Sequence, residues 1–578
     1  NNMIFKVNLI LSCIYFHFKK KIKSFFYNFI NFFKIINVKK FFFVTIFKTK
    51  GGYFNNNSFN KFIDINKKFW KGQENTQKYQ DTILVESFVN HPAYALSNCV
   101  IANYLKKIYG KKITGIIKRN NFHGRSIFES YNIDNIILID EPNIVQRIIA
   151  SFISLKILGT NKDIKNFLKL KYKNTDVGLS AYDSFIRYTG IAYLKKINFE
   201  LFFFLTESVI ICNQFEKIIK KNNFKLSVQA ETSFLPLNAL FQLCLSNKIK
   251  VFSRLGVESL AVRIYKQDNE RYLYRDIISN KSFNYIYKRE GKKLLSKYDY
   301  IQKKKIKNGT FGIDLKVIFK KIKKPIINKS KLNKLFSWEN KKIGVVFLHH
   351  LIDRNFHNGP RKYFTDNYSW GDFILDQLKF AKDYNWIIKH HPTEQYYKSR
   401  VNLNNKINYL VNNYKNIKLF PNNISQISLL NIADVCITSH GSATLEYLAN
   451  GTSAIFIENS YYSHMRFAKK FRCTKKQLQK FKILKKIKVP NKHDINEAKA
   501  FIYMKSEYLK SKSSLIPSHD ISRNFNENQF WLESIKLIKN IKFDNDELMN
   551  MIKIQLKQNL RHTINNNKIK IIKKLSND

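Results

Sequence analysis

Residues that bend or break a chain are scarce here: 18 glycines and 9 prolines among 578 residues exclude a collagen-like or a Pro/Gly-rich low-complexity protein. Acidic residues are scarce too. Against 101 Lys and Arg stand 42 Asp and Glu, a formal net charge of +59, which points to a polyanion or an anionic membrane as partner. Lys, Asn, Ile, Phe and Tyr share AT-rich codons, so a generally basic surface is the competing explanation of the same charge. The six cysteines (Cys13, Cys99, Cys212, Cys244, Cys436 and Cys473) stand far apart, with no CxxC pair and no zinc spacing. Apolar flanks around Cys99, Cys212, Cys244 and Cys436 mark small buried side chains and fit a reducing cytoplasm. No stretch reaches the ~20 apolar residues of a transmembrane helix, and no P-loop, HExxH, GxSxG or EF-hand pattern occurs. No Asp-x-Asp pair stands in a setting that calls for a catalytic Mg²⁺.

What is present is a globular composition, 44% apolar, long enough for two or three domains. The start is basic and aromatic. Val7 to Phe18 is a short apolar stretch broken by Asn8 and His17 and followed by Lys19, Lys20 and Lys21, without the clean core and cleavage site of a signal peptide. Phe25, Phe26, Phe29, Phe32 and Phe33 then recur at helical spacing among Lys23, Lys34, Lys39 and Lys40. This suits a basic amphipathic helix on an anionic membrane, outside the folded body, or else an ordinary helix packed on that body. Residues 51–80, opening on Gly51-Gly52 and rich in Asn, Lys and Gln, read as a linker, so 1–80 form an extension.

From residue 81 onward short apolar strands alternate with helices, the pattern of βαβ units and parallel sheets. Strands are expected at Thr82–Glu86, Ile113–Ile117, Ile136–Ile139, Leu226–Ala230 and Lys250–Phe252. A second set falls at Ile343–Leu348, Trp386–Lys389, Ile417–Phe420, Val435–Thr438 and Ala454–Ile457. The unit strand–loop–helix–strand occurs once in each half, at 226–252 and at 435–457. The expected architecture is α/β, with two facing Rossmann-like domains, 81–330 and 331–490, followed by C-terminal helices over 491–578. After Pro490, Asp494 and Glu497 have the spacing of a helix cap.

Two motifs carry chemistry. Lys389-His390-His391-Pro392-Thr393-Glu394 stands where a buried strand ends, the edge at which open α/β sheets bind ligands. Pro392 stiffens the turn and directs His391, and a Lys and a His there suit a diphosphate or a leaving phosphate. A surface turn capped by His391 is the plainer alternative. In Ser439-His440-Gly441-Ser442-Ala443-Thr444-Leu445-Glu446, a strand, a small-residue loop and a helix present N–H groups to a phosphate. Gly441 permits close approach, Ser439 and Ser442 add hydroxyls, and Glu446 is placed to accept from ribose hydroxyls. Otherwise Ser442 caps the helix and Glu446 completes the cap. Further candidates flank these motifs. Asp353, after His349-His350, suits a base or an acceptor ligand, and Arg354 or Arg361 a phosphate ligand. Glu231 is a candidate base or a helix cap. Tyr182-Asp183 and Arg187 line the acceptor side or are plain helix surface.

Over 343–464 the order strand, His391-Pro392, strand, Ser439–Glu446 loop and Gly451 resembles the capsule polysaccharide biosynthesis family of GT-B glycosyltransferases. It is more distantly similar to polysialyltransferases and CDP-glycerol glycerophosphotransferases. The resemblance implies a cytoplasmic glycosyltransferase, peripheral on the inner membrane face. It would move a sugar from a nucleotide-activated donor to a surface polysaccharide or lipid-linked acceptor, with no cofactor, no metal and no specific nucleic acid. His391, Asp353 and Glu231 would be catalytic; Lys389, Pro392, Ser439, Gly441, Ser442, Thr444 and Glu446 would hold the donor. The QxxxxD-type stretch of Kdo-transferring members has no match. An epimerase or glycerophosphotransferase of the same architecture is the alternative enzyme, and a basic membrane or nucleic-acid binding protein the alternative of another class.

Overall fold

The computed structural model describes residues 2–35, 56–72, 82–89, 91–161, 163–256, 259–274, 277–307, 324–353, 355–392, 394, 399–511, 513–517, 526–540 and 546–565, the side chains of 2–5, 24–35 and 304–307 excepted. The chain forms two compact units, one of Asn1–Ser184, Lys196–Arg271 and Leu509–Asn577, the other of Phe185–Lys195 and Tyr272–Tyr508.

The first unit is built on six strands: β1 Thr82–Glu86, β2 Lys112–Lys118, β3 Asn135–Ile139, β4 Phe224–Gln229, β5 Lys250–Leu255 and β6 Ala261–Tyr265, in the order β3-β2-β1-β4-β5-β6. All neighbours pair in parallel except β5 and β6. Ile83, Leu84 and Val85 are buried one after another, as a strand covered on both faces requires. The chain leaves β5 at Gly256, with φ +98°, where an added Cβ would run into the Ser259 carbonyl.

Helices of this unit include α1 Asn2–Ile35, α2 Asn57–Lys71, α3 Pro92–Tyr109, α4 Ile144–Leu158, α5 Phe199–Lys221 and α6 Leu237–Ser246. Two of them correct the sequence reading. Within the expected linker, α2 starts at the cap Asn56, whose side chain accepts from the Phe59 N–H, and buries Phe59, Phe62 and Trp70. That stripe at helical spacing outweighs the polar composition around it. The expected extension over 1–50 also contains part of the unit: α1 packs on α4 and α5 and buries Leu9, Cys13 and His17. Arg147 Nε donates to His17 Nδ1 at 2.9 Å and Lys20 Nζ to Glu207 at 2.6 Å. The Phe25–Phe33 side chains lie outside the described residues.

The second unit holds β7 Lys342–Phe347, β8 Tyr384–Lys389, β9 Ile417–Leu419, β10 Val435–Thr438 and β11 Ser453–Phe456, all parallel in the order β11-β10-β7-β8-β9. Helix α7 Asn280–Lys307, in the stretch expected to belong to the first domain, packs on α9 Lys492–Tyr503 of this unit; α8 is Ala443–Ala449. The cap of α9 is Asn491, with Asp494 at N3 completing the capping box, so the cap lies three residues before the expected Asp494.

Helices α10 Glu527–Lys539 and α11 Glu547–Lys557 return to the first unit. The rings of Phe59 and Phe62 lie 4.8 Å from that of Trp531 on α10. Leu260 N–H donates to Ser511 O at 2.7 Å and Ile264 N–H to Arg561 O at 2.8 Å, covering the β6 edge. Counted within each sheet, the first strand order reads 3-2-1-4-5-6 and the second 3-2-1-4-5, both doubly wound and Rossmann-like, with the winding reversing between the first and fourth strands. In the first unit those are β1 and β4; in the second, β7 and β10.

Candidate active site

At the reversal point of the second sheet, the chains leaving β7 and β10 bring imidazoles together. His349 and His440 stack with ring centroids 4.1 Å apart and an interplanar angle of 20°, and the His357 ring is 5.3 Å from that of His440. The Thr438 hydroxyl accepts from the Gly441 N–H at 2.7 Å and lies 3.3 Å from His349 Nε2, which also accepts from the His440 N–H at 3.3 Å. With Nε2 accepting, the proton assigned to His349 is on Nδ1 and the ring is neutral.

Beneath this loop lies Arg361. It donates to Ser439 Oγ at 2.6 Å and to the Asn367 side chain. The buried Glu458 carboxylate accepts the N–H groups of Lys362, Tyr363 and Phe364 at 2.8–3.2 Å, pinning the chain that carries the guanidinium. Burial lowers the pKa of Arg361, opposed by Glu458 and Asp366. Burial, with the cations and rings nearby, holds His349 and His440 well below the ordinary imidazole range.

Gly441 leaves the room this crossing needs, because a Cβ there would sit 3.0 Å from Thr438 Oγ1 and 3.2 Å from His349 Cε1. Gly441→Ala is therefore expected to displace the 439–441 loop and weaken ligand binding by roughly tenfold, with thermal stability lowered by ~1–3 kcal/mol of overpacking. Calorimetry with a nucleotide ligand and a melting curve would check both.

A second cluster follows β8. The strand ends at Lys389, two residues before His391, because Pro392 has no N–H to continue a ladder. The alternation that would turn His390 and His391 to opposite sides thus does not extend to them. The His391 ring meets the His350 ring edge-on at 5.9 Å. Burial first and His350 second pull the His391 pKa down to about 4, against the charge of Asp353. Asp353 pairs with Arg187 at 3.0 Å. His350 Nδ1 accepts from the Ile352 N–H at 3.2 Å, and its Nε2 is 3.7 Å from Glu394 Oε2. His390 is lowered by burial, with Glu394 opposing. Lys389 Nζ lies 5.9 Å from the Phe420 ring centroid and donates to His390 O at 3.2 Å; burial and then Lys324 bring its pKa to about 8.

These imidazoles set a pH dependence. Their folded pKa values are depressed, so below 6.5 the unfolded chain takes up protons that the folded one refuses until about 4 in the case of His391. Their contribution is complete above the unfolded value and is lost as the pH falls. Melting temperature is expected to be flat between about pH 7 and 8 and to fall between about 6.5 and 4, a window that melting curves in matched buffers resolve.

The other expected site residues lie as follows. Ser439 is buried under the loop, its hydroxyl occupied by Arg361. Ser442 stands at the N-cap position of α8 but is exposed, in a helical conformation, and makes no side-chain cap bond. Thr444 is buried, and the nearby Tyr462 hydroxyl donates to Gly441 O at 2.7 Å. Burial raises the pKa of Tyr298 of α7 and of Cys436, and the nearby charge of Glu446 adds to both. Pro392 is partly exposed; Arg354 and Thr393 lie outside the described residues. Tyr182 and Asp183 are buried, not helix surface. Glu231, in the first unit, accepts its neighbour Thr232's N–H at 2.9 Å.

Sequence reasoning missed three residues. His357 and Glu458 lie in loops without a motif. Glu86, read only as a strand end, is buried at the reversal point of the first sheet. Its carboxyl group accepts from the N–H groups of Ala230 at 2.7 Å and Phe88 at 2.8 Å and from Asn98 Nδ2 at 2.9 Å. Burial raises its pKa, and the charge of Glu231 adds to the rise. An acidic residue closing an apolar strand was the available signal. Among the described residues no group of three or more His, Cys, Asp or Glu is arranged to hold a metal ion, and no two cysteines form a disulfide.

No protein-family model matches the chain, and no curated protein matches it. Among solved structures it is similar to the β-Kdo 2,4 transferase KpsC of Thermosulfurimonas dismutans, at 10% identity and TM-score 0.26, over 50% of this chain and 85% of that one. UDP-GlcNAc 2-epimerase of Neisseria meningitidis, solved with UDP-GlcNAc, gives 12% identity and TM-score 0.24 over 74% and 99% of the two chains. A glycosyltransferase of Rickettsia africae gives 13% and 0.23 over 80% and 100%.

Proposed function

We propose that this chain is a glycosyltransferase that moves a sugar from a nucleotide-activated donor to a surface polysaccharide or lipid-linked glycan. One observation carries the reading: Arg361 and the rings of His349, His357 and His440 converge where the second sheet reverses its winding, the place where doubly wound sheets bind nucleotides. The uncharged imidazoles of His349 and His440 beside the partly enclosed Arg361 guanidinium make a site short of negative charge, and a phosphate supplies it. In the reaction the bond between the anomeric carbon and the phosphate oxygen breaks, the acceptor oxygen bonds to that carbon, and the nucleotide leaves with the electron pair. His391, uncharged near neutral pH, donates a hydrogen bond to the phosphate as its charge grows. The acceptor proton goes to a carboxylate, Asp353 or Glu231. We place the reaction on the cytoplasmic side of the membrane, in keeping with six cysteines that form no disulfide.

A panel of UDP-, GDP-, CMP- and CDP-activated compounds tests the reading by calorimetry. Saturable binding of at least one is expected, and binding of none would overturn it. Conversion of a bound nucleotide sugar with no acceptor present would make the protein an epimerase instead. Two conservative variants separate the candidate bases. Asp353→Asn or Glu231→Gln, whichever removes the base, should lower turnover by on the order of a hundredfold or more and leave donor affinity nearly unchanged. The other variant should keep most of its turnover in the same assay.

A further inference from the structure

The outward face of α1 is apolar although the helix is packed into the first unit. Val7, Leu11, Tyr15, Phe18 and Ile22 are 45–60% exposed, and at ~100° per residue they fall within an arc of about 80°. Leu9, Cys13 and His17, the residues that anchor α1, lie on the opposite side and are buried. Lys19 and Lys21 are exposed and flank the apolar arc on either side, with Lys23 a turn further on. Helix α4, against which α1 packs, carries an outward stripe of its own: Val145, Ile149 and Phe152 are 56–58% exposed, and the exposed Lys156 continues it. Single exposed apolar residues need no explanation, but eight on two touching helices do.

Charge selects the occupant. The first 50 residues contain ten lysines and no Asp or Glu, and α4 has none either. Lys20 is paired with Glu207 and Glu141, which leaves Lys19, Lys21 and Lys23 as the charges beside the apolar arc, and a protein partner's apolar patch would not call for them. An apolar stripe flanked by lysines is matched by the surface of an anionic bilayer. Rings and aliphatic side chains enter the acyl boundary there, and the lysine stems reach back to the phosphates. No described helix is long and apolar enough to cross a membrane, so the contact lies in the plane of the surface.

We infer that the outward face of α1, with the α4 stripe beside it, docks this protein on an anionic lipid bilayer. The face differs from the Phe25–Phe33 stretch to which the sequence points, and its test does not involve the sugar site. Full-length protein is sedimented with vesicles of phosphatidylcholine alone or mixed with phosphatidylglycerol, at low and high salt. Binding is expected to the mixed vesicles only and to weaken with salt.

Two variants then isolate the face. Leu11→Gln/Tyr15→Gln/Phe18→Gln removes apolar area at exposed positions and should weaken binding by on the order of tenfold or more. Lys19→Gln/Lys21→Gln/Lys23→Gln should weaken it by about a hundredfold, Lys20 being spared because it pairs with Glu207. Circular dichroism and melting curves confirm that both variants are folded. Three results would overturn the inference: equal binding to neutral vesicles, undiminished binding by either folded variant, or a dimer in lipid-free solution that the apolar variant dissociates. The last would make a second copy of the chain the occupant.

Discussion

Replacing Arg361 with glutamine is expected to weaken binding of the nucleotide-activated donor by a hundredfold or more while the fold survives. Arg361 acts through the loop it supports, donating to Ser439 Oγ at 2.6 Å. Of the two carboxylates that act on it, Glu458 and Asp366, Glu458 is engaged by three backbone N–H groups. The positive charge under the 439–441 loop is thus only partly balanced until a phosphate arrives. Truncating one member of a buried charge pair costs about 2–5 kcal/mol, which is roughly 30-fold to several thousandfold in affinity. Arg361→Lys keeps the charge and loses the forked geometry, so it should fall between wild type and the glutamine variant. A glutamine variant that melts within a few degrees of wild type and binds the donor as tightly would show that the phosphate sits elsewhere.

His391→Ala is expected to leave donor binding largely intact and to lower turnover by on the order of a hundredfold or more. A donor preorganised where charge develops is worth ~3–4 kcal/mol in the transition state and less in the ground state. The position fits that role: His391 follows β8 beside His350 and close to Asp353. Its pKa of about 4 keeps the ring uncharged at neutral pH, which adds a second readout. The wild-type rate profile should show no titration of His391 between about pH 6 and 8. His390, set beside Glu394 and Lys389, should tolerate alanine with a mild loss. Equal losses at the two histidines would move the role of phosphate donor away from His391.

Most strands were legible as sequence because parallel strands buried on both faces are short continuous apolar runs. Ile343–Leu348 against the observed Lys342–Phe347 is typical of the agreement. Helix α2 was illegible for the opposite reason: its stripe of Phe59, Phe62 and Trp70 is spread through Asn and Lys, and composition hides a period. The site was legible in parts. Local spacing named His391 and Gly441, since a strand end followed by Pro or a small-residue loop can be read along the chain, and offered Arg361 only as an alternative to Arg354.

The meeting of His349, His357 and His440 beside Arg361 could not be read that way. Those residues are as much as 91 positions apart, and the contact exists only because β10 pairs with β7. Glu86 shows the same limit: a carboxylate ending an apolar strand is visible in the sequence. That it is buried against the Ala230 N–H, and its proton therefore held more tightly, was decided by the pairing of β1 with β4. Periodicity in a single chain therefore determined the strands and the doubly wound class. Tertiary structure alone decided which side chains share a site and which way α1 faces, because burial and charge coupling depend on distance in space, and sequence separation does not set that distance.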